Sequence, residues 1–205
     1  MGNLTVNPIQ IATQRTGKYA LIFLIASLAC TPLNTLLGVR QALTARRALG
    51  IYAFLFAAVH FAIFIWIDYG FQWEFIRLEI LDKKYILAGA ATLSILTPLA
   101  ATSFNWWKKK LGKRWKRLHQ MVYVAAPLAI LHYSWAKKGD LFRLQGDIVQ
   151  PLAFGVVVAL LLLVRIPVVR RFSSRLRQEL QRRFFSPAAS RSKVVISGVN
   201  HDQPG

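Results

Sequence analysis

The sequence is poor in acid. Eight Asp and Glu stand against 27 Lys and Arg, and none of the eight lies inside a long apolar run. That absence argues against a proton-coupled transporter, which keeps carboxylates at bilayer depth. Cysteine is nearly missing as well. Cys30 is alone and sits in an apolar run, so no disulfide can form within the chain and no Cys-x-x-Cys-His can attach a haem covalently. There is no Gly-x-Gly-x-x-Gly, no P-loop, no Ser/His/Asp set and no His-Glu-x-x-His, so the chain carries no dinucleotide module of its own. No internal repeat and no low-complexity tract is visible. Met1–Arg15 is mostly polar and shows no cleavable signal-peptide pattern.

What is present is apolar surface and positive charge, kept apart. Hydrophobic residues make up 55% of the chain and mean hydropathy is +0.38, yet the net charge is +19. A basic nucleic-acid binder would mix the two, whereas here apolar runs of roughly bilayer length alternate with basic connectors. The partner implied is the lipid bilayer, with no nucleic acid. Five runs, at about 17–38, 48–67, 85–104, 118–136 and 148–164, predict an all-α polytopic membrane helix bundle of five spans. Residues 1–16 form a short polar N-terminal segment and 17–168 the transmembrane domain. Residues 169–205 form a basic tail, whose part from 170 to 185 suits an interfacial helix and whose remainder reads as disordered.

Charge also predicts topology. The connectors 40–47 and 105–117 together with the tail, taken from Arg165, carry nineteen Lys or Arg and only Glu179 and Asp202 as acids. The opposite side carries eight Lys or Arg and six acids. The first side is expected to be cytoplasmic, with the N-terminus outside and the C-terminus inside.

Three of the four histidines fall in apolar runs: His60, His119 and His132. An imidazole in hydrocarbon needs a partner: a polar side chain, a proton path, a metal or a haem iron. Depth narrows the choice. His60 lies thirteen residues past Arg47 and His132 fifteen past Arg117, roughly 20 and 22 Å along a helix. Both spans run outward, so the two imidazoles are expected at one level, toward the outer face. Two neutral histidines at one depth can clamp a haem iron from both sides, which leaves no open coordination site and favours electron transfer. Ala125, Ala129 and Ala136 beside His132, and Ala53 and Ala57 beside His60, either leave room for the macrocycle or simply allow close helix packing. His119 lies at the cytoplasmic edge with no histidine partner at its level, so one haem site is expected. His119 is left to another redox group, a quinone head, or propionates and water.

These residues also resemble a known family. Arg46-x-x-Leu49-Gly50 with Tyr52 and His60, then Thr102-Ser103, then Leu111-Gly112-x-x-Trp115-x-x-Leu118-His119-x-x-Val122-Tyr123 and His132, resemble the ferric-reductase-like transmembrane superfamily. Thr16-Gly17 and Thr31-Pro32-Leu33 resemble its haem-binding membrane subunits of periplasmic methionine sulfoxide reductase systems. The resemblance covers about 7–170. It implies a b-type haem, an FMN, and electron flow from the quinone pool, across the bacterial inner membrane, to a periplasmic molybdopterin reductase of the MsrP type. The chain would then be an electron-transfer subunit rather than the catalytic one. The family's histidines map onto His60, His119 and His132. Members usually carry one more span before the Thr-Gly motif, so five rather than six are expected here. The alternative within the superfamily is a ferric or oxygen reductase component that works with a separate flavoprotein. The basic cluster from Lys108 to Arg117 either neutralises a phosphate near His119 or is a plain positive-inside connector.

Overall fold

The structure, a computed structural model, describes residues 8–137 and 149–165. Among them there is no strand. Helix α1 spans Pro8–Leu37 and α2 spans Gln41–Ile63, running on through a π-helical turn, Phe64–Asp68. Three shorter helices occupy the connectors: α3 (Trp73–Asp82), α5 (Asn105–Leu111) and α6 (Lys113–Gln120). The remaining long elements are α4 (Lys84–Ala101), α7 (Val122–Ala136) and α8 (Val149–Leu163).

Four of the five predicted apolar runs overlap one long helix each, and the run 118–136 falls on α6 and α7. By length and composition, Pro8–Leu37, Gln41–Asp68 and Lys84–Ala101 can cross a bilayer. Helices α7 and α8 have 15 residues each, about 22 Å. Three boundaries differ from the sequence reading, the first being α2, which starts at Gln41 so that nearly all of the connector 40–47 is helical. Helix α1 starts at Pro8, so residues 8–16, read as a loose polar segment, form its first turns. The run at 118–136 is divided at Met121, which puts His119 on α6 and His132 on α7. The tail expectations beyond residue 165, and His201, lie outside the described residues.

The helices pair as hairpins. Helix α1 packs most extensively on α2, and α4 on α7; α2 touches α4, and α8 lies against α7 and α1. The core joins Leu21, Leu24 and Leu28 of α1 to Ala53 of α2, Leu96 of α4, Ala125, Ala126 and Ile130 of α7, and Val158 of α8. Ala53 and Ala125 are wholly buried. Small residues at such points let backbones approach, which is how helices gain contact energy in lipid. Outward-facing Leu55, Val59, Val124, Val156 and Leu160 stay about half exposed, a surface suited to lipid rather than water. Hydroxyls in the helices are satisfied locally: Thr92, Thr97 and Ser94 each donate to the carbonyl one turn back, as a medium without water demands.

Candidate cofactor site

His60 near the end of α2 and His132 near the end of α7 meet inside the bundle. Their ring centroids are 5.9 Å apart and the planes cross at 80°. The depth inferred from residue counting therefore corresponds to an actual meeting of the two rings.

Each ring is held by main chain from the other helix of its hairpin. His60 Nδ1–H donates to the Thr13 carbonyl of α1 at 2.9 Å. His132 Nδ1–H donates to the Tyr85 carbonyl of α4 at 2.7 Å. Because a carbonyl can only accept, each Nδ1 carries the proton, and each neutral ring keeps its lone pair on Nε2. This is the usual arrangement of a ligating histidine, in which the second nitrogen is fixed by an acceptor. Two such nitrogens, each about 2 Å from a shared metal, fit rings 5.9 Å apart. Among the described residues no group of three or more His, Cys, Asp or Glu could hold a metal ion, so a bare ion finds no cage here. A cofactor that brings most of its own metal donors would need only the two imidazoles from this chain.

A cavity of about 700 Å³ surrounds the pair, within the range of cofactor sites. Ala57, Phe61, Leu93, Ala129 and Ala136 line it, with Arg15 and Lys18 also on its wall. The five alanines of the sequence analysis therefore divide. Ala57, Ala129 and Ala136 border the cavity, whereas Ala53 and Ala125 are buried packing residues of the core.

The two halves of the site repeat one pattern. Each histidine–carbonyl bond spans 47 residues. One sequence interval separates His60 from His132, Thr13 from Tyr85, and Gly17 from Gly89. Ala53-x-x-x-Ala57-x-x-His60 on α2 matches Ala125-x-x-x-Ala129-x-x-His132 on α7. The sequence reading found no internal repeat. The hairpins α1–α2 and α4–α7 nevertheless form one, carried by so few identities that they stand out only once paired in space.

His119 is elsewhere. On α6 it stacks on Trp115 with centroids 4.0 Å apart, and its Nδ1 lies 3.2 Å from the Trp115 carbonyl. Trp115 in turn donates its indole N–H to the Thr102 carbonyl at 2.9 Å. His119 is not on the cavity wall. The basic connector around it leans on aromatic rings: Lys108 over Trp115, Lys110 over Trp106, and Arg47 over Phe104. Sequence reasoning missed Arg165. It donates to the Tyr123 hydroxyl at 2.8 Å and to the Leu28 carbonyl at 2.7 Å, tying the end of α8 to α7 and α1. It also missed Thr13, Tyr85 and Gly89, although Gly17 stood in a noted motif.

The class of this helical bundle follows from a family match: the family described as "Ferric reductase like transmembrane component" matches residues 16–130. Among similar proteins, the "Protein-methionine-sulfoxide reductase heme-binding subunit MsrQ" of Herminiimonas arsenicoxydans is 43% identical over 164 residues, covering 80% of this chain and 73% of its own length. The protein of the same name from Rhodospirillum rubrum is 42% identical over 172 residues, 83% of this chain and 79% of its own. That from Bordetella pertussis is 38% identical over 159 residues, 78% of this chain and 75% of its own. The chain belongs to the MsrQ family of ferric-reductase-like transmembrane proteins. No solved structure matches it.

Proposed function

We propose that this chain is the membrane electron-transfer subunit of a protein-methionine-sulfoxide reductase system, with a b-type haem held between His60 and His132. The observation that carries this reading is the pair of rings itself: 5.9 Å apart, each Nδ1 bonded to a main-chain carbonyl, beside a cavity large enough for a macrocycle. The names of its relatives support the same group. The haem, when bound, supplies one-electron redox chemistry. His60 and His132 would hold its iron through their Nε2 atoms, an arrangement suited to electron transfer. The Thr13 and Tyr85 carbonyls fix the tautomers, and Ala57, Leu93 and Ala129 give part of the wall an apolar surface. Arg15 and Lys18, on the same wall, suit the carboxylates of a porphyrin.

In this reading electrons come from the quinone pool, through an FMN, and leave for a periplasmic molybdopterin reductase of the MsrP type that repairs oxidised methionine. The protein sits in the bacterial inner membrane with five spans, its N-terminus outside and its C-terminus cytoplasmic. What supports the orientation is the charge asymmetry of the connectors. His119, stacked on Trp115 away from the paired rings, belongs to the inner-face group, flavin or quinone. The second reading, a ferric or oxygen reductase component served by a separate flavoprotein, draws on the family description.

Reduced-minus-oxidised spectra of detergent-purified protein test the haem. His60→Ala and His132→Ala should each abolish the b-type signal, while His119→Ala should retain it. An unchanged spectrum in His60→Ala would refute the pairing. Electron delivery to a purified molybdopterin partner, against delivery to ferric chelates or oxygen, separates the two readings.

A further inference from the structure

Resting on the haem reading, we propose that Gly17 and Gly89 are positioning residues, each providing the seat against which one axial imidazole is set. A Cβ added at Gly17 would lie 3.1 Å from both Nδ1 and Cε1 of His60. One added at Gly89 would lie 2.7 Å from Nδ1 and 2.8 Å from Cε1 of His132. These are the very nitrogens that donate to Thr13 and Tyr85.

The reason lies in helix geometry. Carbonyls point toward the C-terminal end of a helix, and each Cα–Cβ bond tilts back toward the N-terminal end. The Cβ of a residue therefore leans over the carbonyl four positions earlier. Gly17 stands four residues after Thr13, and Gly89 four after Tyr85. Without that Cβ a ring from a neighbouring helix reaches the carbonyl from the side with no need to shift. The carbonyl and the glycine form one unit, and the chain contains it twice, once in each hairpin. The other helical glycines described, Gly50 and Gly155, would meet only ordinary contacts at 3.5 Å. A glycine inside a helix also weakens it relative to alanine, so local helix stability favours alanine at both seats.

The test compares wild type, Gly17→Ala, Gly89→Ala and Gly155→Ala, purified in detergent and checked for monodispersity. Haem per polypeptide, midpoint potential and the low-spin ferric EPR signal are measured for each. Near-perpendicular imidazole planes give a strongly anisotropic signal, so a turned ring shifts its largest g value. Gly89→Ala, the tighter contact, should retain haem about tenfold less tightly or worse, as loss of an outer-shell partner does. Where haem remains, the potential and the g value should both move. Gly17→Ala should move the same way by less, and Gly155→Ala should match wild type. If Gly89→Ala is not recovered folded, Gly17→Ala decides. Full occupancy with wild-type potential and EPR in the glycine variants would overturn the seats while leaving the haem in place. A wild type with no Soret band would overturn the haem reading and the seats with it.

Discussion

At the scale of single residues, four alanines at one helical spacing have two different duties. Ala53 and Ala125 are sealed in the core, while Ala57 and Ala129, one turn on, border the cavity. Leucine should separate the two. Ala53→Leu or Ala125→Leu overfills a close helix contact and should lower stability by about 1–3 kcal/mol, read as a lower melting temperature in detergent. Ala57→Leu or Ala129→Leu should leave melting of the haem-free chain near wild type but reduce haem content. The paired histidines were legible in the sequence because depth follows from residue counting alone. Their partners were not, since a main-chain acceptor has no residue type to mark it. Thr13 and Tyr85 take part through carbonyls that any residue would have offered. Nor could spacing say which alanines met a neighbouring helix and which met a cavity.

At the scale of elements, one side chain adds polar ties to the apolar packing of α8. Arg165 reaches a carbonyl on α1 and a hydroxyl on α7 from its position just beyond α8. Hydrogen bonds from a charged group contribute about 1.5–3 kcal/mol each and neutral ones nearer 1. Arg165→Ala should therefore lower the melting temperature clearly, and Tyr123→Phe by less. Arg165→Lys should not restore it, because an ammonium lacks the planar fork that serves two separated acceptors. The sequence presented Arg165 as the start of a basic tail, since composition counts charge and not reach. The connectors were misread in the same way. Residues 105–117 were read only as a basic connector, but Gly112 at φ +51° divides them into two short helices, and lysines of the first rest on tryptophans. The first turns of α1, residues 8–16, were hidden by their polar composition.

For the whole molecule, the uneven charge of its two ends should fix its orientation. In a Cys30→Ser background, Gln72→Cys, on the connector proposed to face outward, should react with an impermeant maleimide in intact spheroplasts. Lys113→Cys on the inner connector should react only after permeabilisation, and the opposite pattern would invert the topology. The helical bundle and its approximate borders were legible because long apolar runs announce themselves. The twofold build was not, because lipid-facing positions accept almost any apolar residue and dilute the few matched ones. That build has a further consequence. Contacts within each hairpin exceed those between them, and each hairpin supplies one ring of the central pair. A group bridging the rings would therefore act as a clasp across the sparse contact between the two hairpins. Cells starved of porphyrin should accumulate chains whose two halves part easily, with proteases cutting first between them, near Gly70, before either hairpin is touched.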